Sequence, residues 1–184
     1  MNKKAIIVLA DGFEEIEAVT TADVLRRADI DVIIAGLTGY TVTGAHGMVI
    51  RADTVFHEND PLPDAFIFPG GLPGAENLAG SAQLKNVIIK MNSEKRIIAA
   101  ICAAPALLLA PAGVLNGREA TCYPGMEKSF GRDTKAVNAK VVQSDNIITS
   151  QGPATSFIFA LKIVETLAGK DRARKVSRET LFGA

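Results

Sequence analysis

One cysteine stands where an apolar run passes straight into a helical pattern. The segment is Ile98-Ala99-Ala100-Ile101-Cys102-Ala103-Ala104-Pro105. The run reads as a strand buried on both faces. Pro105 suits the first turn of a helix, where a missing N–H costs nothing. Ala100, Ala103 and Ala104 are small enough to permit a sharp bend. A cysteine on such an elbow is laid out as a nucleophile. The helix N-terminus is expected to favour its thiolate, and backbone N–H groups there can stabilise an oxyanion. The competing reading is a small hydrophobe, since free cysteine often packs in cores.

Two further segments end at the same side of the fold. Pro69-Gly70-Gly71-Leu72-Pro73-Gly74 leaves the preceding strong strand, and Gly71 lies 31 residues before Cys102, about one βαβ unit. Its glycines allow close backbone approach, so it can offer N–H groups to an anion. A plain tight turn is the alternative. It is not a dinucleotide fingerprint, because G-x-G-x-x-G is absent. Asp11-Gly12-Phe13-Glu14-Glu15-Ile16-Glu17 follows the first strand. Glu14 and Glu15 read as acids suited to a helix dipole. Glu17 shares a helical stripe with Phe13, Thr20 and Val24, and such a carboxylate is expected to face inward. Burial raises its pKa and favours the neutral form, which can donate a hydrogen bond to a thiolate. A satisfied structural acid is the other reading.

The elements that must position these residues alternate. Strands are predicted at 5–10, 32–36, 65–68, 96–101, 120–122, 136–142 and 147–150. Helices are predicted at 15–28, 81–92, 103–110, 155–167 and from 170 onward. The helix at 155–167 is read with Phe157, Leu161, Val164 and Ala168 on its inward stripe. Residues 36–50 read as loops and a hairpin. Strands alternating with helices mean right-handed βαβ units on a mostly parallel sheet. In such sheets ligands bind beyond the carboxyl ends of the strands, where all three segments fall.

Composition narrows the classes. The chain has 184 residues, 48% of them hydrophobic and 22% charged, which fits one globular domain over 1–184. Twenty basic residues balance twenty acidic ones, so no global field draws nucleic acid or anionic membrane. The basic run from Lys170 to Lys175 reads as a solvated helix face. Two cysteines exclude a disulfide scaffold, and Cys122 reads as structural. The apolar run at 5–10 is too short for a signal-peptide core, and no stretch reaches a membrane span. A cytoplasmic protein with reduced thiols is expected.

Taken together, the three segments resemble the ThiJ/PfpI superfamily. Within it they are most similar to the branch of the Parkinsonism-associated deglycase DJ-one and its bacterial relatives. Asp23-Val24-Leu25-Arg26-Arg27-Ala28 and Thr149-Ser150-Gln151-Gly152-Pro153-Ala154-Thr155-Ser156-Phe157 add to the likeness. The resemblance implies an α/β, flavodoxin-like three-layer sandwich with a mostly parallel central sheet and a small hairpin excursion. It implies a homodimer. It makes Cys102 the reactive cysteine and Glu17 its hydrogen-bonding partner. It assigns the oxyanion backbone to Gly70, Gly71, Cys102 and Ala103, and sets Gly152 and Pro153 beside the pocket. The activity implied is glyoxalase or deglycase chemistry on small aldehydes or their glycated adducts, giving a 2-hydroxy acid. No organic cofactor or metal is required. The alternative is a non-catalytic oxidative-stress sensor or chaperone working through Cys102 oxidation.

Departures narrow this further. The protease-like branch carries a histidine where Ala103 stands, and the amidotransferases need a Cys-His-Glu triad. Here the histidines are His46 and His57, both far upstream of Cys102. Peptidase and amidotransferase activity are therefore not expected. Tyr123 stands where human-like members have a pocket histidine, and His46 where they carry an arginine. Both are possible pocket residues, with a packed loop aromatic and a surface histidine as the alternatives. Neither a phosphate-binding motif nor a kinase signature supports thiazole biosynthesis.

Overall fold

Why the site assembles follows from the order in which the strands pair. A computed structural model describes residues 3–183; Met1, Asn2 and Ala184 lie outside the described residues. In chain order the elements are β1 (Lys4–Leu9), α1 (Glu15–Arg27), β2 (Asp31–Gly36), the hairpin β3 (Thr41–Thr43) and β4 (Val49–Arg51), and β5 (Thr54–Val55). Then come β6 (Ala65–Phe68), α2 (Gly74–Ala79), α3 (Ala82–Ser93), β7 (Ile97–Ile101), β8 (Glu119–Ala120) and β9 (Lys135–Ala136). The chain closes with β10 (Val141–Ser144), β11 (Ile147–Ser150), α4 (Ser156–Ala168) and α5 (Lys170–Glu179).

Seven strands form one sheet in the order β10-β11-β7-β6-β1-β2-β5. Every pairing is parallel except β10 with β11. Side chains alternate across this sheet. From β1, Ile7 and Leu9 pack with Ala18 and Leu25 of α1 and with Phe159 and Ile163 of α4. Ile6 and Val8 turn the other way, onto Leu84, Ile88 and Met91 of α3 and onto Leu108. Strands covered on both faces read as continuous apolar runs, which is why β1, β6 and β7 were visible in the sequence. The layers and the order of β2, β1, β6, β7 and β11 are flavodoxin-like. The order reverses between β1 and β6, and the crevice beyond their carboxyl ends is the ligand position of such sheets.

Several expectations need correction. The helix predicted at 103–110 is a π-helical turn, Pro105–Leu109, in which Ala110 N donates to Pro105 O at 3.0 Å. The strand predicted at 136–142 is broken by a tight turn, with Ala139 N donating to Val137 O at 3.0 Å. Its ends belong to two different sheets, β9 and β10. The short β5 and α2 carried too few residues to give a period. On α4 the buried residues are Ser156, Phe159, Ala160, Ile163 and Val164. Of the stripe of Phe157, Leu161, Val164 and Ala168 only Val164 is among them, and Phe157 and Leu161 pack partly buried against the same core. Nine of the thirteen α4 residues are apolar, more than one face can hold, so hydrophobicity alone does not mark the face. Phe157 also stacks on Phe182, with ring centroids 4.5 Å apart.

Candidate active site

Three chain reversals meet at the switch point. β7 ends at Ile101, and Cys102 takes φ +64°, the left-handed region that a residue with a Cβ enters at a cost of about 1–3 kcal/mol. The turn is held from both sides. Cys102 N donates to Ser150 O at 2.9 Å, and Tyr123 N donates to Cys102 O at 2.8 Å. The elbow therefore belongs to the sheet's own hydrogen bonding, and it holds a cysteine that is 9% exposed, at the edge of the core.

The loop after β6 lies directly against it. A Cβ on Gly70 would stand 2.6 Å from the Cys102 Cβ and 3.1 Å from its Sγ. Gly71 has φ +87°, and a Cβ there would meet Gly12 O at 2.4 Å and Glu14 N at 2.5 Å. Glycine is thus required at both positions, for close approach at the first and for backbone conformation as well at the second. Gly70→Ala is expected to push the elbow aside, slow Cys102 alkylation more than tenfold, and cost about 1–3 kcal/mol of stability through overpacking. Thiol titration with a disulfide reagent and thermal unfolding check the two effects.

Glu17 comes from the first turns of α1 and is 1% exposed. Its Oε2 accepts from Gly70 N at 2.6 Å. Its Oε1 is buried with no hydrogen-bond partner, and the Cys102 thiol is the neighbouring side chain that pulls its pKa down. Gly70 and Cys102 are thereby corrected as oxyanion donors: the N–H of Gly70 holds Glu17 and that of Cys102 holds Ser150 O. The N–H groups of Gly71 and Ala103 are the ones directed at the cysteine sulfur. The inward face of α1 holds Thr21 beside Glu17, in place of the expected Thr20.

Charge couples the two acids. Burial pushes Glu17 up to about 7, against the pull of the Gly70 N–H and the Cys102 thiol. Burial and the charge on Glu17 push the Cys102 thiol up to about 12, against the pull of the Gly71 and Ala103 N–H groups. The sequence led us to expect a depressed thiol. Desolvation and a neighbouring carboxylate outweigh the N–H donors as long as that carboxylate is ionised. The pair therefore behaves as one coupled unit, losing its first proton near neutrality and holding the second to high pH. Cys122 is 1% exposed, a packed thiol, and burial and the charge on Glu127 push it up to about 12.

Above Cys102 opens a cavity of about 460 Å³, lined by Glu14, Ala45, His46, Gly71, Leu72, Cys102, Ala103, Tyr123 and Met126. His46 and Tyr123 are thus both at the pocket, while His57 is an exposed residue elsewhere. Gly152 and Pro153 do not line it. Gly152 lies behind Tyr123, where a Cβ would meet the ring at 3.4 Å.

Sequence reasoning missed what Glu14 and Glu15 do. Glu15 is 4% exposed and pins the β3–β4 hairpin to α1. Its Oε1 accepts from His46 N at 2.7 Å, and its Oε2 meets His46 Nδ1 at 2.8 Å. Burial alone would raise Glu15, but the His46 ring and the backbone N–H groups hold it below the usual carboxylate range. In turn the Glu15 hydrogen bond and the charges of Glu14 and Glu15 raise His46. These three residues bring ligand-type atoms within 4.8 Å of one another, a grouping the sequence did not show. The hydrogen bonds between Glu15 and His46 account for the convergence.

Residues 3–166 match the DJ-1/PfpI family. The chain belongs to that family. Among DJ-1/PfpI relatives it is 42% identical over 181 residues to the Parkinson disease protein 7 homolog of Danio rerio, covering 95% of each chain. It is 37% identical to a Caenorhabditis elegans protein named glutathione-independent glyoxalase DJR-1.2, covering 95% of this chain and 94% of that one. It spans only 41% of the length of the Arabidopsis thaliana DJ-1 homolog B, to which it is 40% identical. The crystal structure of Drosophila melanogaster DJ-1beta superposes with a TM-score of 0.94 at 39% identity, covering all of both chains. The family and fold inferred from the elbow, the Gly-Gly loop and Glu17 are therefore those of its relatives.

Proposed function

We propose that this chain is a single-domain, cysteine-dependent stress-response enzyme that converts small reactive aldehydes, or their early adducts, to 2-hydroxy acids. One observation carries the reading. A strained cysteine opens onto a cavity, with a buried carboxyl group of raised pKa on one side and two N–H groups on the other. The glyoxalase name of the nematode relative supports it.

The reactive state holds one proton on Glu17 and the negative charge on sulfur, beside the N–H groups of Gly71 and Ala103. The thiolate attacks the aldehyde carbon of a 1,2-dicarbonyl such as methylglyoxal. The new oxyanion takes the Glu17 proton, giving a hemithioacetal and a Glu17 carboxylate. That carboxylate removes the proton from the former aldehyde carbon and returns it to the neighbouring carbon, while the hemithioacetal hydroxyl proton passes to the neighbouring carbonyl oxygen. The first carbon is oxidised to a thioester and the second is reduced to an alcohol, so no external redox partner is needed. Water cleaves the thioester, releasing lactate and restoring Cys102. Lactate formation that depends on Cys102 is the test, and its absence overturns the proposal.

The same groups favour a second reading, in which Cys102 oxidises to a sulfinate held by protonated Glu17. Selective addition of two oxygens under mild peroxide, without aldehyde turnover, would be seen by mass spectrometry of the intact protein.

The working form is a homodimer. Ile16 and Val19 on α1, and Met48 and Val49 on the hairpin that Glu15 pins to α1, are each more than half exposed. Apolar side chains gathered this way mark an association surface. Val19→Glu is expected to shift sedimentation from dimer to monomer, and a monomeric parent protein would overturn the assignment. The protein acts in the cytoplasm in this reading, and among the described residues no helix is long and apolar enough to cross a membrane.

A further inference from the structure

A cavity larger than the one above Cys102 lies elsewhere on the molecule. A groove of about 550 Å³ runs along the outer side of α4, between the start of β10 and α5. Its apolar lining is Val141, Ile158, Leu161 and Ala173. A surface helix ordinarily turns polar residues outward, yet α4 keeps Ile158 and Leu161 half-buried at this edge. The size lies inside the range of about 300–1,000 Å³ typical of small-molecule sites.

The rim is cationic. Lys140, Lys162 and Arg174 line it, with Glu165 as the acid. Glu165 is already engaged, with Lys162 Nζ 3.3 Å from its Oε2. Arg174 approaches Asp171 at 3.9 Å, but that aspartate is fully exposed. Among the described residues Lys140 has no carboxylate within salt-bridge distance. The lining thus carries a net charge of +2 around an apolar floor. From Ile158 to Glu165 the groove follows α4 for about 10 Å, close to the length of an extended medium-length alkyl chain.

We infer that this groove binds an anionic amphiphile, a carboxylate on an unbranched aliphatic tail. The tail lies along Ile158 and Leu161, and the carboxylate meets Lys140 and Arg174. Cationic amphiphiles are excluded by the rim, and short carboxylates lack the tail contact. The site is separate from Cys102, so binding does not depend on the proposed chemistry.

Amide-resolved NMR of the full chain tests this. Decanoate below its micelle concentration is titrated, with butyrate and decyltrimethylammonium in parallel. Decanoate is expected to give saturable shifts at residues 140–141, 158–165 and 173–177, with a Kd on the order of 0.1 mM. Affinity should rise about twofold to fourfold per added methylene between butyrate and decanoate. The double variant Lys140→Glu/Arg174→Glu alters exposed side chains. It should weaken decanoate about tenfold while leaving distant amides unmoved. Equal binding of the cationic amphiphile, shifts confined to the Ile16, Val19, Met48 and Val49 surface, or no saturable shift would each overturn the inference. So would a double variant that binds as the parent does.

Discussion

Replacing Cys102 with serine is expected to lower kcat/KM for methylglyoxal about a thousandfold or more. A hydroxyl is a far weaker acid and nucleophile than a thiol. The form with the proton on Glu17 and the negative charge on the nucleophile, already the minor one in the parent, would be scarcer by many orders of magnitude with serine. Serine preserves the size and hydrogen bonding of the elbow. Cys102 N remains bonded to Ser150 O, and Tyr123 N to the carbonyl of residue 102. Loss of activity should therefore come with an unfolding temperature close to that of the parent. Lactate formation followed by an enzyme-coupled assay reads the first effect, and thermal unfolding the second. A serine variant within tenfold of the parent would remove Cys102 from the chemistry.

Glu17→Gln should move activity and stability in opposite directions. Proton transfer by a positioned acid–base group contributes about 10²- to 10⁴-fold, and glutamine can neither give nor take the proton. Stability should rise. The folded protein holds Glu17 up at about 7, against the ordinary carboxylate value of 4.5. Below pH 4.5 the group is protonated whether the chain is folded or not, and burial costs no ionisation. Between 4.5 and 7 the unfolded chain releases a proton that the folded chain keeps, so stability falls as pH rises. Above 7 the penalty is complete, on the order of 3 kcal/mol for a shift of this size. Glutamine still offers Gly70 N an acceptor and carries no charge. Denaturant unfolding at pH 8 should find Glu17→Gln more stable than the parent by a few kcal/mol, and at pH 4 the gap should close. A variant less stable at both pH values would show that Glu17 is a structural acid.

What could be read beforehand was whatever a local pattern encodes. The elbow was visible because an apolar strand, small residues and Pro105 adjoin Cys102 in the chain. Glu17 was visible because a carboxylate stood on an apolar helical stripe. The Gly-Gly loop was visible from its place at the end of a buried strand. What escaped depends on contacts across the fold. Glu15 looked like a helix-dipole acid, and its burial comes from a hairpin 31 residues away that supplies His46 N and the ring. The direction of the Cys102 shift escaped for the same reason. The helix terminus is local, whereas the Glu17 charge that outweighs it arrives through tertiary packing. Gly70 was expected among the oxyanion donors because it stands beside Gly71. Only the fold shows its N–H turned 2.6 Å toward Glu17. On α4 the pattern was silent, since apolar residues occupy the outer edge as well as the inner face, and that edge floors the groove beside α5.

The coupling of Cys102 to Glu17 is tested most directly by the pH dependence of Cys102 alkylation. A Cys122→Ser background isolates the thiol, and the profile is measured with Glu17 and with Glu17→Gln. The coupled pair predicts two ionisations in the parent, the first near 7 and the second toward 12. In Glu17→Gln it predicts a single ionisation below 12, because the carboxylate that raised the thiol is gone. Superimposable profiles, each with one step at the roughly 8.5 of a free thiol, would contradict it and leave Cys102 an ordinary cysteine on a flavodoxin-like fold.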